Sequence, residues 1–142
     1  MLTRILAATV AGGIAFFVFG FIIFGLVLDE MVMKPNMNNF PGLLNETPVW
    51  LPLILANLVS AFLLAYIFDQ WAGISTFVGG LRGGAIVWFL TALSFQLMFL
   101  AFMNLHKNYI PVAADVIGST ILGAIGGGVI GLVLGMMKKS EA

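Results

Sequence analysis

The chain contains no cysteine and a single histidine, His106. Without thiols there is no disulfide framework, no thiol redox chemistry, no thiolate metal site and no c-type haem attachment. One imidazole is too few for two-histidine haem ligation or a histidine-based metal cluster. Charge is scarce as well. Asp, Glu, Lys and Arg together make up 8% of the residues, against about 25% in an average soluble domain. The formal net charge is zero, from 6 basic and 6 acidic residues. No basic patch or stripe is present, so nucleic acid is not an expected partner.

What remains is apolar. Hydrophobic residues are 61% of the 142, and the mean hydropathy is +1.12. Such a chain cannot cover a water-facing surface with polar groups, so the lipid bilayer is its expected solvent. Crossing about 30 Å of hydrocarbon takes about 20 helical residues. Four runs qualify, at about 5–28, 49–68, 83–103 and 112–137. They are continuous rather than alternating, which predicts helices and not barrel strands. The first run exceeds the usual apolar core of a signal peptide, about 7–15 residues, and no small-x-small site precedes "DEMVMKPN". It reads as a retained membrane helix.

The expected fold is therefore all-α: a four-helix transmembrane bundle of up-down topology, forming one domain over residues 1–142. Arg4, Arg82, Lys138 and Lys139 fall on one side, Lys34 and Lys107 on the other. The positive-inside rule then predicts that both termini are cytoplasmic. Arg82, in "GGLRGG", and the Lys138–Lys139 pair are expected at lipid headgroups. Trp50, Trp71 and Tyr109 fit an aromatic belt, while Trp88 lies deeper. Residues 29–48 form the longest polar stretch. Pro35, Pro41 and Pro48 argue there for an outer loop rather than a long regular helix.

Glycine is costly in a water-exposed helix, yet Gly123, Gly127, Gly131 and Gly135 recur every fourth residue, in register with Ser119. Four residues turn a helix by about 400°, so the five trace one shallow groove. Small residues let membrane helices approach backbone to backbone. The groove therefore reads as a contact face. Ala8, Gly12 and Gly20 of the first helix share the spacing, with Phe16 interrupting the run or lying over a glycine hole. Two partners are open: the first helix of the same chain, or a second copy or another membrane subunit.

Polar side chains within the spans are few. Asn57 and Ser60 lie in the second, Thr91, Ser94 and Gln96 in the third, and Ser119 and Thr120 in the fourth. Asn57 and Gln96 have similar depth on successive antiparallel helices. They read either as an interhelical hydrogen bond or as the floor of an outward-facing polar cavity. No ionisable residue lies near the centre of any span, which weighs against a proton-coupled transporter. Asp29, Glu30, His106 and Asp115 collect at the outer rim, as a solvated edge or as groups that bind a divalent cation or shuttle protons. No nucleophile–base pair and no metal motif can be assembled. A non-enzymatic role without cofactors is expected, with a small transporter, channel or lipid-binding protein as the alternative. "GGIAFFVF" in the first helix is faintly echoed by "GGAIVWFL" in the third, a likeness within reach of chance in membrane helices.

"FGFIIFG", "SAFLLAYIF", "GGAIVWFL" and the glycine-bearing fourth helix, taken in order, resemble a family of small bacterial four-helix integral membrane proteins of unknown function. The resemblance implies location in the bacterial inner membrane and supplies no catalytic residues.

Overall fold

A computed structural model describes residues 1–142. It is 82% helical with no strands. Four helices are long and apolar enough to cross a membrane: α1, Leu2–Asn36; α2, Trp50–Ala72; α3, Phe77–Phe102; and α4, Ile110–Glu141. All four expected spans are present, and each helix runs past its expected limits at one end or both.

The largest extension is in α1. Its polar end, Asp29–Asn36, was expected in the outer loop but is helical. Two features mark this extension. Its backbone widens into π-type turns over Phe21–Met33. Lys34 also reaches back to the carboxylates of Glu30, one turn earlier, and Asp29, the latter at 3.3 Å. The helix stops just beyond Pro35, after which Met37 is extended. The start of α3 also moves outward. Thr76 caps it by accepting a hydrogen bond from the Gly79 amide at 3.0 Å. Arg82 is consequently inside the helix, on an exposed face, rather than at its beginning.

The helices form a folded row. α3 packs along α4, α4 on α1, and α1 on α2. α2 and α3 follow one another in sequence but do not pack along their lengths. They meet where the 73–76 turn joins them, with Phe68 against Gly83. α4 is the central element: half of its most apolar window is buried, against 11% for α3.

The row is tightly packed at one end and more loosely packed at the other. The tightly packed end holds both termini and a core of Ile5, Ala8, Phe16, Ala61, Leu64, Ala65, Phe68, Ile130 and Leu134. Arg4 clasps Asp69 there through two hydrogen bonds of 2.6 and 3.1 Å, and reaches Glu141 at 2.9 Å. One cation thus ties α1 to the ends of α2 and α4. At the opposite end the widened part of α1 buries no residue. The two loops at that end are laced together. Asn38 and Lys107 donate backbone hydrogen bonds to Leu105 and Asn36, at 2.8 and 2.9 Å. The Asn108 amide adds one to the Asn36 side chain at 2.8 Å.

Candidate functional site: two clefts around helix α4

The glycine groove of α4 is filled by this chain's own α3. A Cβ on Gly127 would strike the Gly80 carbonyl oxygen and stand 2.8 Å from the Gly84 Cα. A Cβ on Gly123 would meet Trp88 and the Gly84 oxygen. Gly131 and Gly135 lie as tightly on the carbonyls of Thr76 and Ser75. These are backbone-to-backbone contacts, where Cα–H···O interactions replace side-chain packing. The expected intramolecular neighbour was α1, and that expectation is corrected. The complement to the groove is the four-residue glycine pair Gly80 and Gly84, inside "GGLRGG". That spacing was visible in the sequence, behind the more conspicuous Arg82.

α1 uses a neighbouring face of α4. Gly12 receives Ile130, and Phe16 lies over Gly126, where a Cβ would overlap its ring. Phe16 does cover a glycine hole, on Gly126 rather than on the groove itself. Phe16 also stacks on Trp88 of α3, with ring centroids 4.9 Å apart and planes within 10°. Both rings reach over a glycine of α4, Phe16 over Gly126 and Trp88 over Gly123, so α1 and α3 touch across the thinnest part of the helix between them. In the faint echo between the first and third helices Phe16 aligns with Val87 rather than with Trp88, so the stack does not follow from that likeness.

Two residues assigned to packing do something else. A Cβ on Gly20 would meet only Leu122, at an ordinary 3.7 Å. Gly20 therefore keeps a space open rather than a contact close. Ser119 lies above the point where α3 and α4 part, and lines the opening that results.

The first opening lies between α1, α2 and α4 and holds about 660 Å³. Phe16, Phe17, Phe21, Phe24 and Trp50 wall it, with Gly20 and Gly25 leaving room. A narrower groove of about 220 Å³ continues it along α1 and α2 as far as Gly13. Asn57 borders both. Its amide donates to the Leu53 carbonyl of its own helix at 2.8 Å. Ser60 does not line either space.

The second opening, of about 240 Å³, lies between α3 and α4. Thr91, Gln96, Asp115 and Ser119 supply its polar groups, and Trp88, Phe95 and Phe99 its aromatic walls. Gln96 is 8% exposed, and its side-chain oxygen is enclosed without a hydrogen-bond partner. Thr9 and Thr120, by contrast, bond back to carbonyls of their own helices at 2.8 and 2.7 Å. Asn57 and Gln96, expected to share one polar site, border separate openings. The row order explains this, because α1 and α4 stand between α2 and α3.

The groups expected at the outer rim are likewise divided. Asp29 and Glu30 pair with Lys34, His106 sits in the loop lacing, and Asp115 faces the second opening. No group of three or more His, Cys, Asp or Glu residues is placed to hold a metal ion. Lys138 and Lys139 are exposed in the last turn of α4, and Arg82 is exposed on α3. Comparison with protein-family models, with curated proteins and with solved structures found no match to this chain.

Proposed function

We propose that this is a non-enzymatic multi-pass protein of the bacterial inner membrane that works by holding a lipid acyl chain in the α1–α2–α4 cleft, with both termini cytoplasmic. The observation that carries the reading is an aromatic-walled space of about 660 Å³ that opens where the bundle splays. This volume is within the range of small-ligand sites, about 300–1,000 Å³. Cleft and groove together run along α1 from Gly13 to Gly25, roughly 15–18 Å of helix, which matches one leaflet's half of a 30 Å hydrocarbon layer. A space of this shape, bathed in lipid, is filled by the chain that bathes it. Asn57 is the one side-chain amide on its walls, and its oxygen remains free to fix a hydroxyl or amide near the ligand's polar end.

Assembly with a second copy or another subunit is the other expectation. The glycine groove gives it no support, because α3 already occupies that face. An assembly would have to use other exposed apolar faces of the helices instead.

Gly20→Phe tests the reading, since the open space above Gly20 accepts a ring. Native mass spectrometry from mild detergent is expected to show phospholipid retained by the wild type and lost by the variant, at unchanged helicity. Equal retention by a folded Gly20→Phe protein, or none by the wild type, would overturn it.

A further inference from the structure

We infer that the pocket between α3 and α4 binds a primary ammonium group, presented by an aminophospholipid headgroup or by a free alkylamine. The inference rests on a different pocket from the acyl-chain cleft and stands or falls separately. Four polar side chains converge there, Thr91, Gln96, Asp115 and Ser119, on two helices that are otherwise packed through glycine. None of the four makes a side-chain hydrogen bond or ion pair within the chain, although other membrane-depth polar groups do. A buried amide oxygen without a donor is unfavourable. Gln96 is more than nine-tenths buried and carries such an oxygen. A half-turn about its terminal torsion, a soft rotation, presents either end of the amide to the pocket.

The chemistry of the walls selects the ligand. An alkylammonium has three donors and no acceptor. The pocket offers three kinds of acceptor: the Gln96 amide oxygen, the Asp115 carboxylate and the hydroxyls of Thr91 and Ser119. No Lys or Arg lies on its walls, so Asp115 is uncompensated from within. The remaining walls are the rings of Trp88, Phe95 and Phe99, whose faces attract cations. Asp115 sits near the start of α4, close to the loop end, and Trp88 lies deeper in α3. A charged head entering from the interface thus meets the carboxylate first and the aromatic floor last. An anion would meet the carboxylate and no cation.

Trp88 is itself the reporter. In a Trp50→Phe, Trp71→Phe background it is the only tryptophan. Its emission is followed in detergent during titration with ethanolamine, butylamine, a short-chain phosphatidylethanolamine and the matching phosphatidylglycerol. A saturable change is expected with the amines or with phosphatidylethanolamine, and none with phosphatidylglycerol. Response to phosphatidylethanolamine alone assigns the ammonium to a lipid head, and response to the free amines alone assigns it to a soluble ligand. Asp115→Asn and Gln96→Leu should each weaken binding roughly tenfold or more. Gln96→Leu should do so without lowering the melting temperature, because it also removes an unpaired buried oxygen. Equal response to phosphatidylglycerol, response to sodium chloride alone, or unchanged affinity in a folded Asp115→Asn protein would each overturn the inference.

Discussion

Gly127→Ala adds one methyl group where α3 and α4 are closest, and its cost follows from where that methyl lands. The added carbon would overlap the Gly80 carbonyl oxygen and stand 2.8 Å from the Gly84 Cα. Both obstacles are backbone, so no side chain can swing aside. Ordinary Cβ contact begins at 3.4 Å. Clearing the Gly84 Cα alone takes a separation of about 0.6 Å and clearing the nearer Gly80 oxygen takes more, and a gap of that size forfeits a quarter to a half of the dispersion energy of the atoms lining it. α3 has no other long packing partner to compensate. Overpacking of this kind costs about 1–3 kcal/mol, offset by up to about 1 kcal/mol from the better helix propensity of alanine. Gly20→Ala supplies the control, because there the methyl meets only Leu122 at 3.7 Å and the propensity gain stands alone. The two variants should differ in unfolding free energy by on the order of 2 kcal/mol. Reversible unfolding in mixed micelles, followed by helical circular dichroism, measures the difference. Equal stabilities for Gly127→Ala and Gly20→Ala would refute the backbone-contact account of the groove.

The remaining predictions concern the tightly packed end and the sidedness of the chain. Arg4→Ala and Asp69→Asn should each lower the melting temperature in detergent, and the double variant should fall little further than the worse single one. Fully additive losses would show that the two side chains do not act as a pair. Because the chain lacks cysteine, Asn38→Cys and Ser140→Cys can be labelled without background. An impermeant thiol reagent on intact cells should reach the first only. Labelling of Ser140→Cys alone would invert the orientation, and labelling of both would mean that one helix fails to cross.

The four spans were legible because the bilayer imposes length and apolarity directly on sequence. Their ends were less so. The helical stretch Asp29–Asn36 carries polar residues and a proline, and it stays helical, with side-chain pairing at Lys34 that composition does not reveal. The glycine groove was legible as a contact face, but its partner was not. α1 and α3 both carry small residues at the right spacing, but Phe16 interrupts the run in α1, whereas Gly80 and Gly84 of α3 come backbone to backbone with Gly123, Gly127 and Gly131. Phe16 takes Gly126 and Trp88 takes Gly123, an arrangement that exists only once three helices are placed together. The polar pair Asn57 and Gln96 failed for a related reason. Equal depth on consecutive helices implies contact only if consecutive helices are neighbours, and here the row order separates them. The Arg4–Asp69 clasp pairs residues 65 positions apart, beyond the reach of any local pattern.

The same glycines account for both the tight and the open parts of the molecule. A helix built from large residues holds its neighbours about 8–10 Å away and fills the space between with side chains. Along Gly123–Gly135, α4 has nothing to fill that space, so α3 closes onto its backbone and the rings of Phe16 and Trp88 meet across it. Two helices drawn in so closely at one level diverge at the next, where side chains return. Ser119 and Asp115 lie beyond the last groove glycine, and the polar pocket begins there. On the α1 side the large cleft begins beyond Phe16, beside the adjoining Gly20 and Leu122, and farther along α1 Ile23, Phe24 and Leu28 come back onto Gly118 of α4. The Phe16–Trp88 stack therefore stands at the boundary of both openings and contributes a wall to each. Removing either ring would enlarge both spaces at once, whereas Gly20→Phe and Asp115→Asn each alter only one. That difference makes the two sites separable by mutation even though they share a partition.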